Sequence, residues 1–480
     1  MQTQIICMVT ACLFCQLTYG FSVPDLIDDP LWTKPPILMQ GPSLPDGNPI
    51  DCAAQVDLTQ TVGLVEVIDL TLCNNSTIKQ AWVDIKIKAS AVGEARGAYL
   101  PAANLTYSPR QQTRVNYPNS LYDVNTVTNG KMAYANATWR LFDFGGRAAN
   151  RATANYLLES ALSSHDASLQ KAMAETIRSY FEVLTAKATV QAKTQLADFA
   201  KTSWEATLRR ENLGSLAKSD TLQAKTAWDK AQLAKSRADG DYRKAAATLV
   251  FAMGLPTHAK LLLQESEKYH NEQALNDLNV WLREAEEDHP AIKAAKAQWA
   301  AAKEKITAAR AAGLPTLDFM INFYQNGYPN QGVQAASSNT TTVGVTFNIP
   351  IFEGFITTYK IRGQQAQAEY AHAELQTVIK QILAEIVKSH ADAVSSFANL
   401  ESSQQLLESA TAAAASSANR YEKGASDILE LLNAQSAMAE AHQERIRCIA
   451  EYRSARLRLL ANSGVLGRDL SGNIKNNSRP

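Results

Sequence analysis

The sequence has no excess of either charge, since 47 Lys and Arg face 47 Asp and Glu. That balance argues against nucleic acid as the main partner, because phosphate binding needs a basic surplus. Long apolar runs are also missing. Beyond residues 1–20, no stretch reaches the roughly 18 apolar residues of a spanning helix. Catalytic signatures are absent as well. His165, His258, His270, His289, His372, His390 and His442 are scattered and form no HExxH pair. There is no Gly-rich phosphate loop and no GxSxG elbow. The chain therefore reads as non-enzymatic, with no cofactor and no nucleic-acid partner.

Cysteine is sparse. Of six, Cys7, Cys12 and Cys15 fall in the first twenty residues, leaving Cys52, Cys73 and Cys448. No His lies near Cys52 or Cys73, which argues against a metal site. In an oxidising compartment Cys52 and Cys73 could close a loop of about twenty residues, worth roughly 3 kcal/mol in the chain-entropy model. The other reading is two unpaired thiols.

Residues 1–20 resemble an export signal. Ile5 to Leu17 is largely apolar, and Thr18-Tyr19-Gly20 supplies small residues at the cleavage position, although no basic residue precedes the run. A short membrane anchor, or a lipoprotein signal acylated at Cys12, are the alternatives. An exported chain without spanning helices is either soluble or crosses a membrane as a β-barrel.

What the sequence does have is a repeat. Arg96-Gly97-Ala98-Tyr99-Leu100-Pro101 resembles Arg310-Ala311-Ala312-Gly313-Leu314-Pro315, an offset of 214. Leu141-Phe142-Asp143 resembles Ile351-Phe352-Glu353 at an offset of 210, which also carries Gly214 onto Gly424, Asp220 onto Glu430 and Gly254 onto Gly464. Ala-rich helices alone would not match the Pro and Gly punctuation.

Each half predicts two strands. Val343, Val345, Phe347, Ile349 and Ile351 alternate with Thr342, Gly344, Thr346 and Asn348. Leu317, Phe319, Ile321 and Phe323 alternate with Asp318, Met320, Asn322 and Tyr324, and Ala103, Leu105 and Tyr107 with Asn104, Thr106 and Ser108. Ala133, Ala135, Ala137, Trp139 and Leu141 form the less tidy fourth face. This period fits transmembrane barrel strands and exposed antiparallel sheet equally. The polar segments Gln111–Gly130 and Asn326–Thr341 read as loops. Four strands cannot close a barrel, and open edges are not tolerated in lipid, so insertion needs copies that pool strands. Three copies give about twelve.

Long helices follow. Ala148 to Asn212 contains neither Pro nor Gly and predicts roughly 100 Å of helix at about 1.5 Å per residue. Phe355 to Glu422 is similar. Leu169, Met173, Ile177, Tyr180, Phe181 and Leu184 form one narrow apolar seam, and Leu375, Ile379, Ile382, Ile386 and Val387 another, as in coiled coils. Asn212-Leu213-Gly214 and Glu422-Lys423-Gly424 end these helices. The returning helices start near Ser219-Asp220 and Ser426-Asp427, so each half supplies one helical hairpin.

The strand-to-helix corner Leu141-Phe142-Asp143-Phe144-Gly145-Gly146-Arg147, the run Arg420-Tyr421-Glu422-Lys423-Gly424-Ala425-Ser426-Asp427-Ile428-Leu429 with Leu432-Asn433-Ala434-Gln435, and Leu72-Cys73-Asn74-Asn75 resemble TolC-type outer-membrane efflux proteins. The resemblance covers about 54–464. It implies an α+β membrane protein: a homotrimer with a twelve-stranded transmembrane barrel, four strands per chain, continued by a periplasmic α-helical barrel. Its partners would be outer-membrane lipid, a periplasmic adaptor (membrane fusion) protein and an inner-membrane transporter, in efflux or type I secretion.

On this reading residues 1–20 are the signal and 21–53 an N-terminal extended segment. The first repeat is 54–264, with strands near 97–110 and 131–144 and helices near 148–212 and 219–252. The second is 265–464, with strands near 315–325 and 341–352 and helices near 355–422 and 427–462, and 465–480 is a flexible tail. By position the resemblance places a periplasmic gate at Asp220, Tyr421, Glu430 and Asn433, where Asn433 replaces a frequent carboxylate. It places adaptor docking at Gly214 and Gly424. Acids in a first helical turn are also favoured by the helix dipole alone, and both glycines are equally plain helix terminators. An exported coiled-coil scaffold or adhesin without a pore is the alternative reading, and it leaves the paired strands unexplained.

Overall fold

The computed structural model describes residues 29–41, 52, 61–117, 124–215, 217–256, 259, 261–264, 277–327, 338–423 and 425–464. The export signal with Cys12, most of 21–53, the tail 465–480 and Gly424 lie outside the described residues. In chain order the elements are α1 (Pro36–Gln40), β1 (Thr61–Val62), α2 (Leu64–Asn74), α3 (Ser76–Gly97), β2 (Ala102–Tyr117), β3 (Val124–Phe142), α4 (Gly146–Asn212) and α5 (Lys218–Ala252). The second half follows with β4 (Leu262–Leu263), α6 (Leu278–Asp288), α7 (Pro290–Ala311), β5 (Thr316–Gly327), β6 (Ser338–Asn348), α8 (Ile356–Glu422) and α9 (Ile428–Asn462). The chain divides into two compact units. One comprises 1–39, 89–147 and 314–350; the other comprises the remainder.

The first unit is built on an antiparallel sheet of order β2-β3-β5-β6. Register makes its two faces different in kind. Ala103, Ala137, Ile321 and Val343 stand in one row across all four strands, and Trp139, Phe319 and Val345 in another. The opposite face carries a row of Asn104, Asn136, Asn322 and Thr342. The apolar face covers no core: Leu105 is 75% exposed and Val343 61%. On the polar face Tyr134 donates to Asn322 Oδ1 (3.0 Å), and Arg140 pairs with Asp318 across β3 and β5 (2.9 Å). Among the described residues β2 and β6 each have one neighbour, so both edges of the sheet are open.

β2 and β3 extend well into 111–130, which reads as loop from the sequence. Polarity misleads there. Thr113, Val115, Tyr117, Val124, Thr126 and Thr128 are β-branched or aromatic, and such residues suit a pleated ribbon whether or not one face is apolar. A bulge falls between Ser108 and Gln111, and another between Arg140 and Phe142.

The strand-to-helix corners owe their sequence to backbone geometry. Phe144 (φ 50°) and Gly145 (φ 89°) are both left-handed, as are Gly354 (φ 60°) and Phe355 (φ 65°) in the second half. In the first corner Asp143 accepts the Arg147 N–H (2.8 Å), and the Arg147 guanidinium bonds the carbonyls of Arg140 (2.7 Å) and Leu141 (3.3 Å). The same guanidinium lies over the Tyr99 ring at 4.8 Å. Asp and Arg in that motif therefore close a turn whose φ values disfavour a side chain.

The second unit is helical. Its main core joins α2, the middle of α4 and the end of α5, through Val67, Ile68, Leu169, Met173, Ile177, Tyr180, Leu249 and Met253. The α4 seam is buried except Leu184, which packs partly buried against it. In α8, Leu375 and Ile386 are buried, but Val387 is 42% exposed, because position 387 lies a third of a turn round from Ile386. Trp204 and Trp228 stack at 4.8 Å to tie α4 to α5, and Phe397 meets Tyr452 to tie α8 to α9. Cys52 and Cys73 form a disulfide with Cα atoms 5.4 Å apart, fastening residue 52 to the last turn of α2. Cys448 is a free thiol in α9, and burial pushes its pKa up. Among the described residues no helix is long and apolar enough to cross a membrane.

Candidate functional site

The candidate site lies at the turns of the two helical hairpins. In the first, α4 ends in a left-handed Gly214 (φ 74°), with Ser215 N–H bonded to Arg210 O (2.9 Å) and Gly214 N–H to Glu211 O (2.8 Å). This Schellman closure needs a residue without a Cβ penalty. In the second hairpin the same closure joins Ala425 N–H to Arg420 O (2.8 Å), while Gly424 is outside the described residues.

The returning helices start differently. Asp427 caps α9, its carboxylate accepting the Glu430 N–H (2.7 Å). Its counterpart in the first half is Ala217, which makes no side-chain cap. Ser219 and Asp220, read from the sequence as the start of that helix, lie inside its first turn, and Ser219 Oγ donates to Asp220 Oδ1 (3.1 Å). The dipole of α5 thus meets the Asp220 charge without a capping bond.

The structure brings Tyr421 and Glu430 into defined contacts. Glu430 accepts from Arg420 (2.8 Å) and from Ser426 Oγ (2.6 Å), so its charge is compensated within its own hairpin. Tyr421 lies under the Arg210 guanidinium at 5.2 Å, with Arg210 Nη1 3.4 Å from its hydroxyl. That contact joins the end of α4 to the end of α8, one hairpin to the other. Asn433 is exposed on the next turn of α9, and it and Asp220 take no part in these contacts. The sequence points to neither Arg210 nor Arg420 as a gate residue. Their signal was position, since a basic residue in the last turn of a helix is favoured by its dipole. Leu213, at the first turn, is 82% exposed, and Leu429, at the second, is 49% exposed.

No group of three or more His, Cys, Asp or Glu able to hold a metal occurs among the described residues.

The family model described as outer membrane efflux protein matches residues 67–255 and 281–465. Protein CyaE of Bordetella pertussis is 33% identical over 417 residues, covering 87% of each chain. Outer membrane protein TolC of Escherichia coli is 23% identical, covering 85% of this chain and 83% of its own. Among solved structures, the CmeC outer membrane channel of Campylobacter jejuni superposes with a TM-score of 0.75 at 17% identity, over 86% of this chain and 88% of that one.

Proposed function

The chain belongs to the outer membrane efflux protein family and has the fold of an outer-membrane exit channel, and from that premise we propose that three copies assemble into a passive duct. The observation that carries this reading is the sheet. It has an exposed apolar face, a polar face and, among the described residues, two unpaired edges. An apolar face of this size is stable against lipid, and open edges are excluded there, so β2 of one copy pairs with β6 of the next until the ring closes. Three copies make a barrel of about twelve strands, with the row Asn104, Asn136, Asn322 and Thr342 facing a watery lumen.

The hairpins form a periplasmic helical wall whose turns hold the gate. In this reading Asp220, Tyr421, Glu430 and Asn433 surround the constriction, and the Arg210–Tyr421 contact holds neighbouring hairpins together when it is shut. A periplasmic adaptor grips the hairpin ends, where the Gly214 and Gly424 turns present exposed Leu213 and Leu429. An inner-membrane transporter supplies the energy and selects the cargo, in efflux or in type I secretion.

Electron microscopy of the detergent-solubilised protein tests the assembly. The expected particle is a three-fold hollow cylinder with a short membrane belt. A solid rod, or a monomer soluble without detergent, would replace the duct with an exported scaffold that has no pore.

A further inference from the structure

The helix pairs α2–α3 and α6–α7 are each broken at one residue, Asn75 in the first half and His289 in the second, 214 positions apart. Asn75 uses both ends of its amide. Oδ1 accepts the Thr77 N–H (2.8 Å), and Nδ2 donates to the Ala252 carbonyl at the end of α5 (2.9 Å). His289 stands at the same place with its ring. Nδ1 accepts the Ala291 N–H (3.1 Å), and the ring packs against the residues that end α9, where a Cβ on Gly464 would stand 3.3 Å from His289 Cδ2. Ala252 and Asn462 are themselves equivalent, 210 positions apart.

Beyond each lies a left-handed glycine pressed onto the break. A Cβ on Gly254 would stand 2.5 Å from Asn74 O, and one on Gly464 would stand 2.9 Å from Pro290 Cδ and 3.3 Å from His289 Cδ2. The two halves therefore carry equivalent caps at these breaks, each with a left-handed glycine packed on it, made with an amide in one and an imidazole in the other.

An amide does not change charge between pH 4 and 8, whereas an imidazole does. With Nδ1 accepting, the neutral ring keeps its proton on Nε2. A second proton must go to Nδ1. That acceptor then becomes a donor facing the Ala291 N–H, and a positive charge sits on a residue only 5% exposed.

We propose that His289 is an acid-sensitive cap of the α6–α7 junction on which the end of α9 packs, while the equivalent Asn75 cap is indifferent to pH. α9 is the helix that carries Glu430 at its other end, so acid would loosen the far support of the second hairpin and leave that of the first in place.

Charged groups on α6, α7, α8 and α9 bond partners other than the ring. Asp288 bonds Lys293 (2.8 Å), Lys296 bonds the Glu286 carbonyl (3.3 Å), and Arg458 of α9 bonds Asp392 of α8 (3.2 Å). Burial pulls the His289 pKa down from 6.5 to about 4, against a smaller upward effect of the Asn462 backbone. The folded value lies below the unfolded one. The contribution of the neutral ring is therefore complete above about pH 6.5, is lost as pH falls from there toward 4, and changes no further below.

The test is hydrogen exchange on the full-length protein in detergent, with protection factors compared at pH 7.5 and 4.5. Amides 459–464 should lose protection by up to some tens-fold at pH 4.5, while amides 249–254 keep theirs. His289→Asn, which copies the other half, should abolish the loss. Asn75→His should transfer it to 249–254. Equal loss at both junctions in the wild type would overturn the proposal without any variant. So would a loss that persists in His289→Asn, or a folded Asn75→His protein whose first junction stays protected.

Discussion

Tyr421 and Arg210 sit in different halves of the sequence and meet through a ring face rather than a strong hydrogen bond. At 3.4 Å the hydroxyl contact is long, so the cation–π term carries most of the contact, about 0.5–1 kcal/mol at an exposed site. Removing the ring or the cation should therefore favour the open duct, and removing the hydroxyl should not. Arg210→Ala and Tyr421→Ala are expected to raise open probability in planar bilayers by about two- to five-fold per contact, with Tyr421→Phe near wild type. Equal effects of Tyr421→Phe and Tyr421→Ala would refute the assignment. Glu430 is different: its bridge to Arg420 is about half exposed on both sides, so Glu430→Gln should alter ion selectivity far more than stability. The Cys52–Cys73 bridge spans 21 positions. Cys73→Ser should destabilise that junction by roughly 3 kcal/mol in the chain-entropy model, and added reductant should then have no further effect on thermal unfolding.

At the scale of elements, three left-handed glycines end helices in the same way but in different surroundings. Gly214 has open space where a Cβ would go, Gly464 meets a proline ring, and Gly254 meets a backbone carbonyl. Ala at Gly214 should cost only the left-handed strain, about 1–2 kcal/mol. Gly464→Ala should cost more, and Gly254→Ala most, since a backbone cannot move aside as a ring can; thermal unfolding of the three variants would rank them. A different order would mean that the turns relax independently of their packing. The missing cap on α5 offers a gain instead. Ala217→Asp should supply the bond that Asp427 gives α9 and add about 1 kcal/mol, visible as slower exchange in the first turn of α5. Helices of this length were legible from the absence of Pro and Gly, and the inner strands from alternation. The outward reach of β2 and β3 was not, because polar residues that alternate leave no hydrophobic trace. Nor was the exposure of Val387, since apolar spacing alone does not resolve one residue of helical rotation.

For the whole molecule, the proposed assembly assigns opposite solvents to the two faces of one sheet. Val345 and Thr346 are neighbours in β6, and the register puts Val345 in the apolar row and Thr346 beside Asp318 on the polar face. Val345→Lys should block membrane assembly, at a cost of about 2–4 kcal/mol per copy near the bilayer midplane, whereas Thr346→Lys should assemble and change conductance. Membrane extraction by urea against detergent reads the first effect, and bilayer recording the second. If Val345→Lys assembles normally, the apolar row does not face lipid.

The sequence by itself determined the repeat, the alternation of strand pairs with helical hairpins, the absence of catalytic and phosphate-binding signatures, and the cysteines available for a disulfide. These are local or periodic properties, carried by spacing along the chain. The tertiary structure decided which residues separated by some two hundred positions meet: Arg210 with Tyr421, Arg140 with Asp318, Asn75 with the end of α5 and His289 with the end of α9. Such pairs depend on register and on the packing of one helix against another, and no periodicity in a single segment encodes its partner.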